Sequence, residues 1–138
     1  MADDVRSLDH YTLDIEDKLG TGARVLAALR DNDVDLLAFW GYSTAPGKAT
    51  LELLPVDADG FLAAAKAAGF ASLRTSRVFY VTGSDRPGTI AEKLKQLSDA
   101  GVSVVAAQGV SDSAGRFGAV IYVKPEDVQR AGTALNAL

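Results

Sequence analysis

The chain has 138 residues, 48% of them hydrophobic and 23% charged, with a formal net charge of −4 and no cysteine. An acidic balance without a lysine/arginine cluster argues against a nucleic-acid partner, and the lack of cysteine rules out disulfides and thiolate metal sites. The opening Met1-Ala2-Asp3-Asp4 is acidic where a secretory signal is basic, and no apolar run approaches the length of a membrane span. A soluble, cytoplasmic protein without a membrane partner is therefore expected.

Tyr11, Leu13 and Ile15 alternate with Thr12, Asp14 and Glu16, the period of a strand with one wet face. After Asp17-Lys18-Leu19-Gly20-Thr21, the apolar residues Ala23, Leu26 and Leu29 recur at helical spacing. Val34, Leu36 and Ala38 begin a second strand, Ala45-Pro46-Gly47-Lys48 is a turn, and Thr50–Leu54 is a third strand that makes a hairpin with the second. Asp57 or Asp59 can cap a second helix through about Ala68. Ala71–Ser76 supplies a fourth strand and Arg77–Thr82 a fifth, followed by Asp85-Arg86-Pro87-Gly88-Thr89 and a helix with Ile90, Leu94 and Leu97 on one face. Strands over Val102–Val110 and Phe117–Val123 follow. Pro125 opens a last helix whose apolar stripe is Val128, Ala131, Leu135 and Leu138.

The order repeats because the sequence does. At an offset of 68 residues Asp17 matches Asp85, Gly20 Gly88, Thr21 Thr89, Leu26 Leu94, Leu29 Leu97, Gly41 Gly109, Ser43 Ser111 and Gly47 Gly115, without a gap. This internal duplication predicts a first unit over residues 10–76 and a second over 77–138. The second copy ends before its last strand, and the offset sets Val5-Arg6-Ser7 against Leu73-Arg74-Thr75, so residues 3–8 are expected to supply it; a frayed N-terminus is the alternative. The fold class expected is α+β: two ferredoxin-like βαββαβ units, antiparallel sheets with helices on one face.

Val78-Phe79-Tyr80-Val81-Thr82-Gly83-Ser84-Asp85-Arg86-Pro87-Gly88-Thr89-Ile90-Ala91 resembles the opening of an ACT domain, where an apolar strand enters an Asp-Arg-Pro-Gly turn and then a helix. Leu97-Ser98-Asp99-Ala100-Gly101-Val102-Ser103-Val104 is similar to that family's helix-to-strand junction, and with the duplication the resemblance covers nearly the whole chain. In the first copy Lys18-Leu19 stand where the second has Arg86-Pro87. The resemblance implies a freestanding regulatory module that binds a small molecule, most commonly an amino acid, between the turn of one unit and the neighbouring unit.

The turn also has a physical case as a receptor. A helix starting at or near Pro87 leaves the amides of Gly88, Thr89 and Ile90 without intrahelical acceptors, a setting suited to a carboxylate. Arg86 could add a charge-assisted contact and Asp85 could accept from an ammonium group. The competing reading is structural: Asp85 and Thr89 cap, Pro87 starts the helix, and Arg86 is solvated. Gln108 and Trp40, near the ends of the second strands of the two copies, are the remaining candidate pocket residues, with Asp17, Lys18, Leu19, Gly20 and Thr21 as the first-copy turn; burial between the units is the alternative for Trp40.

Catalysis finds no support. The single histidine, His10, has no partner identifiable in the sequence, no triad or metal-ligand spacing occurs, no cofactor is implied, and Gly20-Thr21-Gly22 is too short for a phosphate loop. Beside the ligand sensor stand two alternatives: an interaction module that regulates a partner enzyme without binding a ligand, and a small ferredoxin-like enzyme. Two chains could also associate as a homodimer through exposed sheet edges.

Overall fold

The computed structural model describes residues 3–138, which form β1 (Asp4–Glu16), α1 (Thr21–Asp31), β2 (Leu36–Ala45), β3 (Lys48–Pro55), α2 (Ala58–Ala68), β4 (Arg74–Ser84), α3 (Thr89–Asp99), β5 (Val104–Ser111), β6 (Arg116–Val123) and α4 (Val128–Ala134). A 3-10 turn over Pro125–Asp127 leads into α4, with the proline at its start. The chain divides into two compact units, one of Asp9–Ser76 and one that joins the residues through Leu8 to Arg77–Leu138. We call them the first and the second unit. The fold is α+β, with a ferredoxin-like βαββαβ pattern repeated twice.

In the first unit the strands lie in the order β2-β3-β1-β4. Antiparallel pairing sets Tyr11 opposite Leu53, Leu13 opposite Leu51 and Ile15 opposite Ala49, so these residues share the face that the helices cover. Tyr11, Leu13, Leu51 and Leu53 pack there with Val25 and Leu29 of α1 and Phe61, Ala64 and Ala65 of α2, and the Tyr11 ring stacks on Phe61 at 4.6 Å. The Asp57 carboxylate caps α2 by accepting from the Gly60 amide.

In the second unit the order is β1-β4-β6-β5. Phe79 faces Ile121 and Val81 faces Ala119, and both pairs join a core with Leu97 of α3, Ala131 of α4 and Val5 of β1. The Ser7 amide donates to the Leu138 carbonyl at 3.2 Å, and the Leu138 amide to the Val5 carbonyl at 2.9 Å. The start of β1 is thus held by both its side chains and its backbone.

Three local expectations are corrected. Residues 71–76 and 77–82 do not form two strands: β4 runs unbroken from Arg74 to Ser84, since nothing between them supplies a turn conformation. The first α-helical residue of α3 is Thr89, not Pro87, because Gly88 before it holds φ 85°, outside the helical range. The apolar stripe of α4 stops short of Leu138: the helix ends at Ala134, Asn136 turns left-handed at φ 56°, and the Leu138 side chain is exposed.

Candidate functional site

The two copies of the strand-to-helix turn are built with the same bonds. The Asp17 amide donates to the Gly47 carbonyl at 3.0 Å and the Asp85 amide to the Gly115 carbonyl at 2.9 Å. Ser43 Oγ donates to the Asp17 carboxylate and Ser111 Oγ to the Asp85 carboxylate, each at 2.8 Å. Gly20 and Gly88 precede their helices at φ 86° and 85°, where a side chain would be strained. The repeated aspartate therefore ties the turn to the neighbouring hairpin.

Within the second turn, Arg86 forms a two-pronged pair with Glu92 at 3.0 Å on both prongs, and this partner holds the Glu92 carboxyl below its ordinary range. Thr89 neither caps the helix nor presents its hydroxyl: it is buried, and Oγ1 donates to the Arg86 carbonyl at 3.1 Å. Its amide also turns back to Arg86, which leaves the Ile90 and Ala91 amides as the helix-start donors without an intrahelical acceptor. Pro87 and Gly88 are exposed, and the Ile90 side chain packs on the second core.

Gln108 is not brought to this turn. It faces Val120, itself opposite Tyr80, on the sheet face away from α3 and four residues, or roughly 13 Å, short of Ser84. Trp40 likewise lies on the non-helical face of its sheet, opposite Glu52 and stacked on His10 with ring centres 5.7 Å apart. In the first turn Lys18 pairs with Glu16 at 2.8 Å, Leu19 is wholly exposed, and Thr21 accepts from Arg24 at 3.3 Å.

The copies part company just behind the turn. In the first unit Val25 is 8% exposed and Ile15, opposite Ala49, packs against the same core, so this end is filled with hydrocarbon. The equivalents in the second unit are Lys93, Gly83 and Phe117. The space that the absent Gly83 side chain leaves is filled by Asp3: a Cβ on Gly83 would stand 2.1 Å from Asp3 Oδ1 and 3.2 Å from the Phe117 ring. The Asp3 side chain is 2% exposed and that of Lys93 13% exposed. Asp3 Oδ2 lies 3.8 Å from the Arg86 guanidinium and 3.9 Å from Lys93 Nζ, whereas Oδ1 is buried without a hydrogen-bond partner. None of Asp3, Gly83, Lys93 and Phe117 is among the site residues expected from sequence. The signal was present in the duplication, as a glycine and a lysine standing where the other copy has isoleucine and valine.

A second polar cluster lies in the first unit. His10, assigned no partner from sequence, is wholly buried against Trp40, with Nδ1 3.4 Å from Ser76 Oγ and Nε2 3.7 Å from the Glu52 carboxylate. Glu52 itself accepts from Thr12 at 2.5 Å and Tyr42 at 3.1 Å, and burial of the His10 ring lowers its pKa to about 4. On the same face, Asp14 pairs with Arg74 and accepts from Thr50, and a groove of about 810 Å³ runs past Asp14, Tyr42, Lys48 and Arg74. Among the described residues no group of three or more histidine, cysteine, aspartate or glutamate side chains is placed to hold a metal ion, and no helix is long and apolar enough to cross a membrane.

No protein-family model and no curated protein matches the sequence. Solved structures do. Protein BT0572 of Bacteroides thetaiotaomicron is similar with a TM-score of 0.82 at 20% identity, over 96% of this chain and 88% of that one. The ligand-free regulatory subunit of aspartate kinase from Thermus thermophilus follows at 0.65 and 16% identity, over 98% and 93% of the two chains. That of Thermus flavus matches at 0.64 and 17%, over 98% and 94%. At these identities the likeness is one of fold, and the fold is ACT-like.

Proposed function

We propose that this protein is a non-catalytic regulatory module that senses a small carboxylate-bearing molecule, most plainly an amino acid, at the Asp85–Ile90 turn of the second unit. The observation that carries the reading is the contrast behind the turns: hydrocarbon closes the first unit, while the second sets Gly83, Lys93 and Arg86 together. A cationic niche beside free helix-start amides suits an anion, and replacing core hydrocarbon by glycine and lysine costs stability that a purely structural turn need not lose. The fold shared with regulatory subunits of aspartate kinase supports the regulatory side of the reading.

A thermal-shift screen against the twenty amino acids tests it. A ligand at 100 times its Kd should add about 2.7 kcal/mol of stability, and Arg86→Ala should weaken the binding. One observation favours a second reading, an interaction module for a partner enzyme: Arg86 and Asp85 are already engaged, by Glu92 and Ser111. A flat screen together with a stably co-purifying enzyme would select that module instead.

A further inference from the structure

We infer that the niche in the second unit is a carboxylate seat held by the chain's own Asp3, and that a ligand enters by displacing it. This rests on the reading of the second unit as the sensing unit and names the group that the ligand must replace.

Asp3 stands just ahead of β1, two residues before the core position Val5, and its side chain is 2% exposed against Gly83, so a charged side chain is directed into the protein. A carboxylate taken from water is tolerated where cations and hydrogen bonds replace the lost solvent. Asp3 receives the cations only at a distance: both lie beyond hydrogen-bonding range, and Oδ1 has no donor. It is an underpaid occupant of a site whose remaining parts are complementary to an anion. Lys93, almost buried where the first unit has valine, lays its stem against the core and brings its ammonium group to 3.9 Å from the Asp3 carboxylate, and Gly83, where the first unit has isoleucine, leaves the volume that this carboxylate occupies. A ligand carboxylate that approaches Lys93 and Arg86 to direct contact gains the bonds that Asp3 forgoes. The equivalent volume of the first unit is taken by Ile15 and Val25, so among the described residues the seat occurs once.

Chemical rescue separates the seat from the identity of the ligand. Asp3→Ala, with the isosteric Asp3→Asn as a second variant, is melted with and without 50 mM sodium acetate against sodium chloride of equal ionic strength. Acetate should raise the Tm of Asp3→Ala, leave the wild type unmoved, and fail when Lys93→Met is added. Equal acetate effects on wild type and Asp3→Ala overturn the seat. The twenty amino acids are then titrated calorimetrically into both proteins: binding at least tenfold tighter to Asp3→Ala, at one site per chain, supports displacement, and equal affinity overturns it. Acetate rescue with no amino acid bound by either protein upholds the seat and overturns the amino-acid reading.

Discussion

The first and second units keep the same frame and differ in what fills one end of it. The frame is repeated down to single bonds: an aspartate amide on a glycine carbonyl, a serine hydroxyl on that aspartate, and a left-handed glycine before the helix. The filling is not repeated. Ile15 and Val25 close one core; Gly83 and Lys93 open the other to Asp3. Duplication followed by divergence shows which residues hold the turn in place and which are free to take on chemistry. By this measure the bonds of Asp85 belong to the frame, and Lys93 to the part that diverged.

The comparison can be broken most forcefully in the cores. Leu53 and Ile121 are equivalent and wholly buried, and Leu53→Ala and Ile121→Ala should each cost about 2–5 kcal/mol in urea denaturation. A negligible cost at either position would mean that the two cores are not counterparts.

A second asymmetry is sharpened by acid. His10 and Val78 are equivalent and both fully buried, but only His10 titrates. Its folded pKa of about 4 lies below the ordinary 6.5, so the unfolded chain takes up the proton first. The stability from keeping the ring neutral is fully present above pH 6.5 and is lost as pH falls toward 4, by about 3 kcal/mol. His10→Val, which copies the second unit, should flatten that part of the stability–pH profile; an unchanged slope would assign the acid sensitivity to other groups.

The smallest effect tests the shared frame. Asp17→Ala and Asp85→Ala each remove one serine hydroxyl contact and should lower stability by about 1 kcal/mol apiece. A clearly larger loss at one turn, measured by thermal denaturation without ligand, would show that the bonds are matched in form and not in strength.

Much of this was legible beforehand. Period-two alternation located the strands, helical spacing the helices, and the offset located the second copy. The fold followed because both patterns report the same buried face. What stayed hidden depends on contacts distant in sequence. Arg86 looked free, as Glu92 lies six residues away and reaches back only once the helix has formed. His10 looked isolated because its neighbours Glu52, Trp40 and Ser76 come from three other strands. Asp3 looked like an acidic terminus, since its setting depends on a glycine 80 residues later in the chain.

The placement of Val5 in the second core bears on the order of events during synthesis. The first unit is complete once Ser76 has left the ribosome, whereas Val5 and its neighbours must wait for Arg77–Leu138 before they have a sheet to join. Closing that long loop is the slower, entropically dearer step. The unit carrying the proposed sensing site is therefore the later of the two to be finished, and the segment that finishes it also delivers Asp3.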